Sequence, residues 1–356
     1  DSDAMGMGYD IADALADGLN FGRGEDDNTV VITDGGVGEF DAKYTWDRGK
    51  IISALAAMSQ SINTEATAAY AEPVTDWSQE ERFIYHAGEE GITLNEEATA
   101  DAIEKALEQG EFVCTVEATV NAVLPGGNID DLKAATSFIA SYTTKFSARR
   151  DDEVKQNRKF NIQKAADIIN GNTIQPGEEW SFNTVVGPRT YELGWKGANG
   201  ISGGKEYTIQ AGGGICQVST TLYNALLCAN MEIVDRRAHT IPSDYVPVGL
   251  DATVDTRGID FVWKNNTDMP AYIFAKVEKV EGSSSRHTIT VYVYGKPLPE
   301  GVTYQSRNEI IEERSRQDEA IYTNDASIPT GYQLERVQGH KYYVAEAYQD
   351  LSLIHI

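Results

Sequence analysis

Apolar residues along this chain switch repeatedly between a helical period and two-residue alternation, and those switches predict a mixed α+β protein. Ile11, Ala14, Leu15 and Leu19 recur at helical spacing, and a polar turn over 22–28 leads into a short strand over 30–33. The same order returns later as a helix over 98–107, a stop at Gly110 and a strand over 112–123, which suggests two copies of a small α+β module. Between them lie a helical stretch over 48–62 and a segment over 83–94. Residues 137–146 read as a polar, Thr-rich connector. A helix over 155–169 follows, with Phe160, Ile162, Ala165, Ala166, Ile168 and Ile169 on its period and Gly171 where a C-cap would stop it. Pro176-Gly177 and Gly187-Pro188 bracket a turn, a short strand and a second turn. Strands are expected over 232–237, 260–264, 271–280 and 288–294. After Gly295 the chain turns polar and reads as an extended connector with two short strands, leading to another strand over 342–347.

The sharpest local signal is the run Gly212-Gly213-Gly214-Ile215-Cys216-Gln217. Three glycines permit a tight turn with backbone close to any ligand. From Cys216 onward, Val218, Leu222, Ala225, Leu226 and Ala229 form the apolar stripe of a packed helix. Cys216 therefore stands in a first helical turn, where unpaired amides and the helix dipole favour a thiolate. A thiolate nucleophile needs a base and a group to orient that base. The residues downstream supply His239 and then Asp244, Asp251 and Asp255. The assignment is Cys216 as nucleophile, His239 as base and Asp251 as orienter, with amides at Gly213 and Gly214 and the Gln217 side chain on the oxyanion. Asn183, Arg189, Asp244 and Tyr245 complete the candidate substrate-binding set. The competing reading makes Cys216 a small buried hydrophobe, His239 a local hydrogen-bonding group and Asp251 a turn residue. Cys114 and Cys228 read as packed thiols. Cys216 and Cys228 lie about 18 Å apart along one helix, beyond disulfide reach.

Charge narrows the partners. The net charge is −25, with 28 acidic and 7 basic residues over 1–140 against 27 and 23 over the remainder. Such acidity argues against nucleic acid, which requires basic surface to displace counterions. No residue spacing recommends a metal site, and no cofactor is expected: Gly212–Gly214 lacks both the GxGxxG pattern and a Walker lysine. No apolar run is long enough to span a bilayer, so any membrane attachment would come from an N-terminal anchor outside this sequence. LSLIHI at 351–356 resembles a translated sequencing adapter and is set aside as a scar.

Three runs carry a family resemblance: NIQKAADIINGNTIQPGEEWSFNTVVGPRT, AGGGICQVSTTLYNALLCANMEIVDRRAHTIPSDYVPVGLDATV and FVWKNNTDMPAYIFA. Residues 137–295 resemble a VanW domain. Residues 40–136 resemble the peptidoglycan-binding α+β domain that commonly precedes one, and 1–39 read as a truncated α+β module. Residues 296–350 form a connector and the start of a truncated C-terminal module. Trp46, Tyr70, Trp77 and Tyr85 suit either sugar stacking or a core. The order glycine turn, Cys helix, strand, His, strand, Asp is similar to papain- and transglutaminase-like folds, with an antiparallel sheet core. The resemblance implies an extracytoplasmic, cell-wall-associated bacterial protein, of a type accessory to glycopeptide resistance, with peptidoglycan as partner. The sequence leaves two functions open. One is a cysteine acyl-transfer enzyme (peptidase, amidase or transpeptidase) on stem peptides; the other is a non-catalytic peptidoglycan-binding or scaffolding protein.

Overall fold

The computed structural model describes residues 8–9, 44–111, 115–202, 206–315, 326–327, 329 and 341–353. The expected helix over 11–19, the strand over 30–33 and Cys114 lie outside them. The chain is mixed α+β with antiparallel sheets and divides into two compact units. The first comprises 1–69 and 87–128, and the second 70–86 and 129–356.

In the first unit, Asp47 caps the Arg48–Ile62 helix by accepting from the amides of Gly49 and Lys50. Asn95 does the same for the Glu96–Glu108 helix through the Ala98 amide. These caps satisfy donors that a helix leaves unpaired at its start. Ile51, Leu55, Leu94, Ala100 and Leu107 form the small core, beside the paired strands Gly91–Leu94 and Val120–Val123. Of the strand expected over 112–123, only its last four described residues pair. Trp46 donates to Glu104 rather than standing free.

The second unit holds the larger core. Its main sheet has four antiparallel strands in the order Ser137–Ser147, Arg286–Gly295, Ala271–Lys279, Asn172–Ile174. The Glu153–Ile169 and Ile215–Cys228 helices pack on it. Ser137–Ser147 is the stretch expected to be a connector, and it is an eleven-residue strand instead. Its inward positions include Ala140, Thr144 and Phe146, so a threonine fills a core position and masks the alternation. Thr144 is tolerated there because its hydroxyl pairs with that of Thr221 at 2.8 Å and accepts from Gln217 at 2.9 Å. A second sheet orders Glu232–Asp235, Val262–Lys264 and Glu179–Ser181. The Phe182–Val186 helix, unexpected from the sequence, follows Ser181, whose hydroxyl caps it.

The hairpin of Tyr70–Pro73 and Phe83–His86 and the Ile129–Ala135 helix belong to this second unit, so the expected division at residue 136 cuts through it. Phe83, Tyr272 and Phe274 are buried together, with Trp77, Tyr85, Tyr292 and Tyr294 packed around them. Trp77 and Tyr85 are thus core aromatics, while Tyr70 stacks on His86. Beyond Gly295, Val302–Arg314 pairs with Tyr342–Leu353 in one long hairpin, longer than the short strands expected. Residues 351–353 of the segment set aside as a scar take part in that pairing. No helix among the described residues is long and apolar enough to cross a membrane.

Candidate active site

The glycine turn is explained by what surrounds it. Gly212 and Gly214 have φ of +79° and +105°, a region that side chains strain to adopt. A Cβ on Gly212 would stand 2.8 Å from Cβ of Arg189, and one on Gly214 would stand 2.7 Å from Cγ of Arg158. At Gly213 a Cβ would meet the Ala198 carbonyl oxygen at 2.2 Å. The turn is therefore threaded between two arginine stems and against the backbone of the Gly197–Ser202 strand. Asn161 locks it in place: its fully buried amide donates to Lys196 O at 2.8 Å and Gly213 O at 3.0 Å, and accepts from Lys196 N at 2.9 Å.

The helix opens at Ile215, so Cys216 lies in its first turn as expected. The helix is apolar on most sides, but Ser219, Thr220 and Asn224 are also fully buried. Each reaches the same irregular segment. Ser219 donates to Ala252 O at 2.7 Å, Thr220 both donates to Ala252 O and accepts from Ala252 N, and Asn224 donates to Leu250 O at 2.8 Å. These bonds hold the backbone on both sides of Asp251, which projects from irregular chain. On the other flank, Thr253 N donates to Arg237 O at 2.8 Å, tying this segment to the one that carries His239.

The three assigned residues come together. The His239 backbone amide donates to Asp251 Oδ2 at 2.6 Å, and His239 Nδ1 is hydrogen-bonded to the same oxygen. The His239 ring stands close enough to the Cys216 sulfur for each to act on the other's charge. With Nδ1 engaged by Asp251, Nε2 is the nitrogen left for that sulfur. The sulfur also lies 3.7 Å from Thr253 Oγ1 and 3.4 Å from the Val254 carbonyl. The side chains of His239 and Asp251 are only 7% and 6% exposed, so their interaction is little screened.

The electrostatics follow from that geometry. Burial pushes the Cys216 thiol up, but the hydrogen bond and charge of His239 outweigh it and hold the thiol below its ordinary value. Burial would lower the His239 ring, yet the bonds and charges of Asp251 and Cys216 push it up to about 9. Burial likewise opposes the Asp251 carboxylate, which His239 and then Arg236 keep below the usual range. Arg236 Nη2 stands 3.8 Å from Asp251 Oδ1, and its Nε donates to the Asp251 carbonyl at 2.7 Å. The arrangement thus favours a thiolate paired with an imidazolium, oriented by a carboxylate.

The remaining expected residues have different tasks. Gln217 is fully buried, and its amide nitrogen donates to Thr144 Oγ1 at 2.9 Å and Lys145 O at 3.1 Å. Both amide hydrogens are spent, so Gln217 is not the oxyanion donor expected; its oxygen instead accepts from Arg158 Nη2 at 2.7 Å. Asn183 donates to Asp255 O and Ile259 O and accepts from Arg189 Nη1 at 2.7 Å, which makes it a brace for Arg189. Arg189 is buried and close enough to Cys216 to interact with its charge. Asp244 is exposed, within electrostatic reach of Arg158. The phenol of Tyr245 is pushed up by burial and then by Cys216. Gly213 and Gly214 serve the turn itself. Among the described residues, no group of three or more His, Cys, Asp or Glu is placed to hold a metal ion.

Sequence reasoning missed Arg158 and Asn161. Both lie on the stripe 158, 161, 162, 165, 166, 169 of the Glu153–Ile169 helix, so polar residues at buried helical positions were the available signal.

An α+β domain carrying a Cys–His–Asp constellation at a helix start is the class of protein that fold and site define. Residues 157–289 match the family model described as VanW like protein, so the chain carries a VanW-family domain. Over 142 residues, 40% of the chain, it is 42% identical to the uncharacterized protein YoaR of Bacillus subtilis. Over 135 residues it is 32% identical to the vancomycin B-type resistance protein VanW of Enterococcus faecalis. The matched segments span 45% and 49% of those relatives, about half of each. No solved structure matches the chain.

Proposed function

We propose that the VanW-family domain is a cysteine acyl-transfer enzyme acting on peptide bonds of peptidoglycan. One observation carries this reading: a single histidine bridges a first-turn cysteine and a buried aspartate. In the proposed reaction the Cys216 thiolate attacks an acyl carbon, forming the C–S bond. The His239 imidazolium then passes its Nε2 proton to the leaving nitrogen as the C–N bond breaks. The thioester left on Cys216 is resolved by water or by an acceptor amine, which returns one proton to His239. The choice of peptidoglycan draws on the relative whose name links it to vancomycin resistance; on this reading the domain acts on the outer side of the membrane.

The test is turnover of purified muropeptides, followed by mass spectrometry for both products and a thioester on Cys216. Loss of turnover in Cys216→Ala with retained folding is expected. Equal turnover by the wild type and Cys216→Ala would sink the nucleophile. Binding to insoluble peptidoglycan that survives Cys216→Ser, with no turnover by the wild type, would leave a binding protein instead.

A further inference from the structure

The two arginine stems that confine the glycine turn point to the kind of group the site receives. Arg158 and Arg189 stand on opposite sides of the residues that lead into Cys216, each in contact distance of a glycine whose side chain is absent. Both guanidiniums are near enough to Cys216 to interact with its charge. Among the described residues, neither has a carboxylate within ion-pair distance. The acids nearest Arg189 are already engaged: Asp260 accepts from Ser181 and from the amides of Asn183 and Phe261, and Asp255 from the amides of Arg257 and Ile259. Arg189 spends Nη1 on Asn183 Oδ1 and on Gly187 O at 3.1 Å. Arg158 spends Nη2 on Gln217 and lies 5.9 Å from the rings of both Phe146 and Tyr245.

Desolvating a guanidinium without a counter-charge is expensive, and burial accordingly lowers the proton affinity of both arginines. Proteins retain such charges where a ligand supplies the missing partner, and the guanidinium fork matches a carboxylate. Arg158, Arg189 and His239 act directly on the charge of Cys216, whereas Asp244, Asp255 and Asp260 reach the two arginines only from beyond ion-pair distance.

Resting on the acyl-transfer reading, we infer that Arg158 and Arg189 form the recognition site for a free carboxylate of the acyl-donor peptide, within about one residue of the bond that Cys216 attacks. A carboxylate there supplies the absent counter-charge and orients the acyl carbon over the sulfur.

Matched alkylating reagents test this without the natural substrate. Iodoacetate and iodoacetamide have nearly the same shape and differ in a carboxylate. Each alkylates a thiolate by forming a C–S bond and expelling iodide. Their rates at Cys216 are read at pH 7 by mass spectrometry of the Cys216 peptide and compared with those at glutathione. The expected result is an iodoacetate-to-iodoacetamide rate ratio well above that of glutathione. That ratio should fall about tenfold, the scale of one charge-assisted hydrogen bond, in Arg158→Gln and in Arg189→Gln, and be recovered in large part by Arg158→Lys. The imidazolium of His239 also attracts iodoacetate, so the arginine dependence is the deciding readout. A ratio that both substitutions leave unchanged overturns the inference while the thiolate stands. Labelling by neither reagent until the pH exceeds about 8.5 overturns the acyl-transfer reading and this inference with it.

Loss of Arg189 could disturb the fold, because it braces Asn183 and the glycine turn. A wild-type measurement covers that case: N-acetylglycine should protect Cys216 from iodoacetamide, whereas N-acetylglycinamide should not. Equal protection by the two, or none by either, overturns the inference.

Discussion

Asp251→Asn is the substitution that probes the site most directly. Asparagine keeps the shape and an oxygen able to accept from the His239 amide, so the backbone contact at 2.6 Å persists. The negative charge that holds the imidazolium is lost. Raising a histidine from its ordinary 6.5 to about 9 corresponds to about 3 kcal/mol in favour of the charged ring, at about 1.4 kcal/mol per unit. Asp251 and Cys216 share that effect, and burial opposes it. If Asp251 supplies roughly half, its loss weakens the thiolate–imidazolium pair about tenfold. The assay is the second-order rate of Cys216 alkylation by iodoacetamide between pH 5 and 10, with the peptide identified by mass spectrometry. The wild type should react rapidly at neutral pH, and its rate should fall only as acid protonates the thiolate. In Asp251→Asn the rise should shift towards the free-thiol value of about 8.5. Superimposable pH profiles would refute the role of Asp251, and a wild-type rise centred near 8.5 would refute the ion pair itself.

Further expectations concern the scaffold and pH. Gly213→Ala should destabilise the domain more than Gly177→Ala, a turn glycine with open space around it, because its Cβ would meet the Ala198 carbonyl at 2.2 Å; thermal unfolding measures the difference. Asn161→Ala removes three buried hydrogen bonds and should cost about 3 kcal/mol, checked by urea unfolding, with equal midpoints as the contrary result. His239 is raised in the folded state, so its stabilising contribution is complete below pH 6.5 and is lost as pH rises through about 9; His239→Gln should flatten that alkaline decline in a melting-temperature profile. The depressed Asp251 carboxylate contributes stability above its unfolded value near pH 4 and loses it in stronger acid, so wild type and Asp251→Asn should converge in melting temperature there.

What the sequence made legible follows from how local each signal was. The Cys216 helix was readable because three glycines and an apolar stripe sit within eighteen residues, and the order of Cys, His and Asp then narrowed the partners. The Ser137–Ser147 strand was not readable, because Thr144 occupies an inward position whose polarity is satisfied only by Thr221 and Gln217, more than seventy residues away. Gln217 was misassigned for the same reason. Beside a nucleophile it looks like an oxyanion donor, and only the folded chain shows that Thr144 and Lys145 use its hydrogens. Asp251 was found by its place in the sequence, but not what holds it. Ser219, Thr220 and Asn224 pin the neighbouring backbone from within an apolar-looking helix, and each of those bonds spans at least twenty-six residues.

The net charge and the site pull in opposite directions, and distance decides between them. A chain of −25 repels anions as a whole, yet at physiological salt that field fades over about 8 Å. Inside the site the charges lie closer than this and are shielded from solvent, so Arg158, Arg189 and His239 act on a ligand with little screening. Gross acidity therefore argues against polyanions that must lie along the surface, such as nucleic acid, but not against a small anionic group that reaches Cys216. The glycines are what make that separation possible. By carrying no side chains at 212 and 214, the turn admits two arginine stems beside the residues that lead into Cys216, and a Cβ at either position would collide with one of those stems.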